Sequence, residues 1–239
     1  MTAVESRLAR NLHAVNERLR AACLRAGRPV SDVTLIAVTK YAELDWVRAL
    51  VDLGVHHLGE SRPQQLAARV EALAPAPLTW HMIGHLQRNK ARRTLQSATW
   101  IHSVDSLRLL ETLDQLAGEL SVEPKLLVEV NLSGEATKGG FSADELRRSW
   151  PQICAVRNVR IDGLMTMAAL SDDPEEARPT FAGLRQLRDE LLPLSPQGWT
   201  LGELSMGMTN DFEVAIEEGA TFVRIGSALF EGLESAATS

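Results

Sequence analysis

The chain has 239 residues, 45% of them apolar, and a formal net charge of -6, with an isoelectric point of about 5.6. That length is normal for one α/β barrel and ample for a core, so a single domain over residues 1–239 is expected. The acidic balance excludes a general affinity for nucleic acid or an anionic membrane, because neither is drawn to a surface without a basic patch.

Residues 1–30 hold an amphipathic helix. Val4, Leu8, Leu12, Val15 and Leu19 recur at helical spacing before Gly27 and Pro29 stop it. Glu5, Arg7 and Arg10 interrupt this stretch, and no later one reaches the apolar length of a membrane span, which predicts a cytoplasmic protein. The helix is expected to pack on the barrel as a cap across its bottom. Cys23 and Cys154 fit no C-x-x-C or zinc-ligand spacing and read as packed thiols.

Val33 to Thr39 is β-branched and almost continuously apolar, the pattern of a strand buried on both faces of a parallel sheet. Further strands are predicted at Val55 to Leu58, Thr79 to Ile83, Trp100 to Ser103, Lys125 to Asn131, Arg160 to Leu164, Thr200 to Leu204 and Phe222 to Ile225. Helical patterns lie between them, such as Leu107, Leu110, Leu113 and Leu116, and Phe181, Leu184, Leu187 and Leu191 before Pro193. Eight strand–helix alternations predict a closed (β/α)8 TIM barrel, with an open doubly wound sheet as the structural alternative.

In such a barrel the chemistry sits just after the strands. Lys40 follows the first strand directly, where a shielded amine makes a nucleophile; the alternative is a lysine that packs its stem and reaches solvent. Ser205, Gly207 and Thr209 follow strand seven, and Arg224, Gly226 and Ser227 belong to strand eight and its exit. Those two loops are where many barrels bind a phosphate through backbone N–H groups and hydroxyls, although the glycines also serve plain tight turns and Thr209 a plain helix cap.

A phosphorylated aldehyde unites the two features, with its phosphate on the last two loops and its carbon on Lys40. Pyridoxal 5′-phosphate (PLP) is such a molecule. Arg224, at barrel depth, would face the pyridine nitrogen and keep it unprotonated, weakening the ring as an electron sink; the alternative is an ion pair with a carboxylate. His81 and Asn131, near the ends of strands three and five, are candidates to line the ring, with a satisfied core histidine and a turn-closing asparagine as the other readings. His81 and His85 also read H-x3-H, but across a strand end and without a third ligand, so no metal site is expected. Lys138 is a candidate second amine for an aldehyde.

The runs AVTK, LGES, WHMIGHLQRNK, IHSVDS, VEVNLSGEATKGGF, GLMTM and LSMGMTNDFEVAIEEGATFVRIGSALF resemble, in order and spacing, the pyridoxal phosphate homeostasis proteins, from about Val33 to Gly232. The resemblance implies a fold type III PLP barrel like the N-terminal domain of alanine racemase. It further implies a Schiff base on Lys40, Arg224 facing the pyridine nitrogen, and the phosphate on Ser205, Gly207, Gly226 and Ser227. It also implies a protein that buffers PLP or delivers it to apo-enzymes without robust turnover, and the chain is expected to be a monomer. Two departures stand out: Gly59-Glu60-Ser61 replaces the family's common Gly-Glu-Asn, so a contact from Ser61 to the cofactor is shorter in reach, and the proline that often follows the lysine is missing at Tyr41 to Glu43.

The competing function is a PLP-dependent racemase or related enzyme. That chemistry needs two bases on opposite faces of the substrate, and only nine residues follow Phe230. Tyr41, the only tyrosine, is expected to turn away from Lys40 because adjacent strand residues face opposite sides. Neither a dinucleotide or P-loop glycine motif nor a G-x-S-x-G elbow is present, which ranks nucleotide enzymes and serine hydrolases last.

Overall fold

In the computed structural model, which describes residues 2–135 and 139–233, the strand–helix alternation closes on itself. The strands are β1 (Thr34–Val38), β2 (His57–Glu60), β3 (Thr79–Met82), β4 (Trp100–Val104), β5 (Lys125–Glu129), β6 (Arg160–Met165), β7 (Glu203–Ser205) and β8 (Phe222–Ile225). All neighbours are parallel, and β1 pairs with both β2 and β8, at Ala37 opposite Leu58 and Thr34 opposite Phe222. That double pairing makes the sheet a (β/α)8 barrel and sets the open sheet aside.

Eight predicted strands are found, with shifted ends. β7, expected from Thr200, starts at Glu203, and β2, expected from Val55, starts two residues late. The Val55 amide instead closes the preceding helix on the Leu50 carbonyl, with Gly54 at a positive φ in the turn, so the strand begins at His57. Gly163 on β6 lets β7 come close: a Cβ there would lie 1.8 Å from the Glu203 carbonyl oxygen.

The helices, in chain order, are α1 (Ala3–Arg25), α2 (Leu44–Asp52), α3 (Pro63–Ala72), α4 (Ala91–Leu95), α5 (Leu107–Leu120), α6 (Ala143–Ile153), α7 (Arg178–Leu191), α8 (Phe212–Glu217) and α9 (Ser227–Phe230). Thr2 and Glu5 form a capping box that starts α1. Its apolar stripe, Leu8, Leu12, Val15, Leu19, Ala22 and Cys23, is buried, each large aliphatic side chain adding about 1.5–3 kcal/mol.

The expectation that α1 caps the barrel bottom is corrected. The helix packs against α2, α8 and α9 in the outer layer. With only the four residues of α9 after β8, the ring has a gap between α8 and α2, and α1 fills it. The bottom stays open as a cavity of about 560 Å³ lined by strand-start residues such as Thr34, His57, Thr79, Lys125 and Phe222.

Candidate functional site

The opposite ends of the strands converge on one cleft of about 1050 Å³, which collects Lys40, Ser61, Glu129, Thr209, Arg224, Gly226 and Ser227. Lys40 is exposed at the cleft edge rather than shielded. Because β1 ends at Val38, Lys40 and Tyr41 sit in a turn and strand alternation does not reach them. Tyr41 is therefore not turned away: it lines the same cleft, its ring centroid 5.1 Å from Lys40 Nζ.

The turn is held from below. Arg69 Nη2 on α3 donates to the Thr39 and Ala42 carbonyls at 3.0 and 2.5 Å, and Gln65 Nε2 donates to the Lys40 carbonyl at 2.9 Å. Arg69 Nε pairs at 2.8 Å with Glu60 Oε1, which also accepts the Thr39 hydroxyl at 2.5 Å. Burial is the dominant effect on both charges, raising the Glu60 carboxyl and lowering the Arg69 guanidinium against their mutual attraction. Glu60 Oε2 and Arg69 Nη1 remain buried without a hydrogen-bond partner.

Across the cleft, Gly207 adopts φ +90°, and a Cβ there would lie 2.6 Å from Ala215 Cβ and 2.9 Å from Phe212 Cα. This folds the β7–α8 loop back so that the Met208 amide donates to Asp211 Oδ1 at 2.6 Å. The loop brings the Thr209 hydroxyl to 3.1 Å from that of Ser227, whose chain exits β8 through Gly226. Thr209, Gly226 and Ser227 are thus gathered at the cleft wall. Ser205 is not: its fully buried hydroxyl accepts from Arg224 Nη1 at 2.6 Å and meets His102 Nδ1 at 2.8 Å, beneath the cleft. Gly207 shapes the loop, and its carbonyl accepts the Arg224 amide.

Arg224 reaches the cleft from β8 while 5% exposed, and donates through Nη2 to the Thr166 carbonyl at 2.9 Å. Its bonds go to neutral oxygens rather than into a carboxylate pair. Burial brings its guanidinium down to about 10, against the pull of Asp211 and Glu129. Glu129, at the end of β5, is pushed up to about 6 by burial and then by Asp105, with Arg224 and His85 opposing. His85 Nδ1 lies 2.9 Å from Asp105 Oδ2.

His81 does not line the cleft. It is fully buried inside the barrel, satisfied by His57 and His102 rather than by backbone, and it stacks on Trp100 at 6.1 Å. His81 and His85 thus have separate partners, the interior histidines for one and Asp105 for the other. Asn131 closes a turn, donating to the Glu135 carbonyl at 2.8 Å and accepting from the Ser133 hydroxyl at 3.1 Å. Ser61 does line the cleft, packed against Gly84, where a Cβ would lie 2.4 Å from the Ser61 carbonyl oxygen. Lys138 lies outside the described residues.

The family profile described as alanine racemase, N-terminal domain, matches residues 10–234. A pyridoxal phosphate homeostasis protein of Aquifex aeolicus is 40% identical over 219 residues, 92% of this chain and 95% of its own. The chain belongs to this family. PipY of Synechococcus elongatus PCC7942, solved with PLP bound, superposes with a TM-score of 0.82 at 40% identity, over 93% of this chain and 99% of that one. Alanine racemase of Clostridium difficile 630 shares the fold, with a TM-score of 0.72 at 15% identity over 97% of this chain and 58% of its own.

Several residues at this site are not among the candidates that the sequence singles out: Glu129, Asp211, the Glu60–Arg69 pair, and the interior His57 and His102. Glu129 had a usable signal, since it ends an apolar strand as Lys40 nearly does. Among the described residues, no helix is long and apolar enough to cross a membrane.

Proposed function

We propose that this chain holds PLP in the cleft and serves to buffer or deliver it, with Lys40 as the attachment residue. The observation that carries the reading is that one cleft gathers a primary amine at one wall, paired hydroxyls at the other and a buried arginine between them. PLP suits this donor set: a phosphate takes hydrogen bonds from Thr209, Ser227 and the Gly226 backbone, and a donor-only guanidinium matches an unprotonated ring nitrogen. When bound, PLP supplies an electrophilic aldehyde carbon conjugated to a pyridine ring.

The residues divide the work. Arg69 and Gln65 fix the turn that presents the Lys40 amine, the group that would hold the aldehyde carbon. Thr209 and Ser227 would hold the phosphate and Arg224 the ring nitrogen, while Ser205 and the Thr166 carbonyl hold the plane of the guanidinium. Ser61 borders the ring pocket. The exposed rim, with Tyr41 and Leu170 at 79% and 87% exposure, suits handing the cofactor from a monomer to apo-enzymes.

The test is an absorbance spectrum with and without PLP for the wild type and Lys40→Ala. A near-violet band in the wild type that is absent in Lys40→Ala is the expected result. No band in the wild type at excess PLP would sink the reading.

A weak PLP-dependent turnover is the second reading, favoured by Glu129. Its carboxyl, held up to about 6, can keep or release a proton at its oxygens near neutral pH, the property a general acid or base needs. Following hydrogen–deuterium exchange at the alanine Cα by NMR tests it, and exchange no faster than with free PLP rules it out.

A further inference from the structure

The interior of the barrel carries a continuous hydrogen-bonded chain from its open bottom to Arg224. His57 Nδ1 lies 3.0 Å from His81 Nε2, His81 Nδ1 2.9 Å from His102 Nε2, and His102 Nδ1 2.8 Å from Ser205 Oγ. Arg224 Nη1 closes it on Ser205 Oγ at 2.6 Å. His81, His102 and Ser205 are fully buried, while His57 lines the bottom cavity beside Lys125.

The direction of the chain follows from the donor inventory. A guanidinium only donates, so Ser205 Oγ accepts from Arg224 and its own proton goes to His102 Nδ1. His102 then carries its proton on Nε2 and donates to His81 Nδ1. His81 likewise carries its proton on Nε2 and donates to His57 Nδ1, leaving the His57 Nε2 proton at the bottom cavity. The opposite polarity would aim both Arg224 and His102 protons at Ser205 Oγ and leave the hydroxyl proton without an acceptor in the chain.

Every link thus needs neutral imidazoles, since an added proton places two donors face to face. The surroundings agree. Burial first, then His102, His57 and Lys125, holds His81 well below the usual histidine range, and burial followed by Arg224 does the same for His102. His57 is lowered by burial, then by His56 and Lys125. A barrel interior of this size is ordinarily filled with branched apolar side chains, and here Trp100, Phe222, Ile36, Leu127 and Met165 fill only part of it. Two fully buried histidines and the half-buried His57 occupy the rest, retained at a desolvation cost that apolar packing would avoid.

Building on the PLP reading above, we propose that His57, His81, His102 and Ser205 are positioning residues for Arg224. The polarised chain fixes the guanidinium plane through Ser205, so that the remaining N–H donors point at the ring nitrogen of the bound cofactor.

Two measurements test this. Long-range proton–nitrogen NMR of the imidazoles, without PLP, should find His57, His81 and His102 neutral with the proton on Nε2 between about pH 6 and about pH 8. Nδ1 protonation of His81 or His102, or an imidazolium at either, overturns the chain. In the second, His102→Leu should weaken PLP binding about tenfold, the effect of one well-placed hydrogen bond, and shift the band of Lys40-bound cofactor. His102→Asn, which keeps an oxygen for the Ser205 hydroxyl, should recover most of both. Should His102→Leu not fold, His81→Leu gives the same readout one link further on. Wild-type affinity and band in a folded leucine variant overturn the positioning role with the PLP reading intact, whereas a wild type that never gains the band removes both.

Discussion

Replacing Arg69 with methionine tests the clamp under Lys40. The substitution keeps most of the packed stem and removes three hydrogen bonds at once: those to Glu60, to the Thr39 carbonyl and to the Ala42 carbonyl. Leaving one member of a buried ion pair uncompensated costs about 3–5 kcal/mol, and the two stranded carbonyls lie within that range. With a slope of about 2–3 kcal/mol per M, the urea midpoint should fall by about 1–2 M at unchanged slope, read by far-UV circular dichroism.

The pH dependence gives the clearer signature. Burial already raises the Glu60 carboxyl above its unfolded value, and losing Arg69 raises it further. A carboxyl raised in the folded state costs nothing below its unfolded value, and stability is lost as pH rises through the folded one. The deficit of Arg69→Met should therefore be largest near about pH 8 and shrink to about 1–2 kcal/mol, the lost carbonyl bonds, near about pH 4. Glu60→Gln combined with Arg69→Met should regain much of the loss at high pH. A loss below about 1 kcal/mol that does not vary with pH, or a double variant no better than the single one, would refute the clamp.

Glu129→Gln should stabilise the protein at pH 7 to 8. The carboxyl stands at about 6 against an ordinary 4.5, a difference worth about 2 kcal/mol. By the same sign rule that gain appears only above 4.5 and is complete above about 6, so equal urea midpoints for variant and wild type at pH 8 would contradict it. Gly207→Ala combines a positive φ with a Cβ that meets Ala215 and Phe212. It should cost about 2–4 kcal/mol and weaken inorganic phosphate binding measured by calorimetry; unchanged melting and binding would remove Gly207 from its loop-shaping role.

Much of this protein is legible along the chain because the forces that write it are local. A strand buried in a parallel sheet is largely apolar, so Thr34–Val38 and, Arg224 apart, Phe222–Ile225 announce themselves. The rule that barrel chemistry follows the strands leads to Lys40, Thr209, Arg224, Gly226 and Ser227, all of which reach one cleft. Ser205, His81 and Asn131 show where that rule stops, since being near a strand end does not say whether a side chain faces the mouth, the interior or its own turn. Which way each points depends on where the strand ends, and one residue reverses it. The Lys40–Tyr41 turn, the placement of α1 in the gap beside α8 and the shifted start of β2 were all set by such endings.

What only the tertiary structure decides is the polar interior. His57 meets His81 across 24 residues, His81 meets His102 across 21, and His102 meets Ser205 across 103. His57 and His102 draw no attention in their own strands, and His81 and Ser205 read there as candidates for the cleft. Register puts His57, His81 and His102 in line on three neighbouring strands, and barrel closure lets β4 and β7 face each other across the interior so that His102 meets Ser205. The sequence by itself determines the strands, the helices and the amine; the ring they close determines what stands behind the arginine.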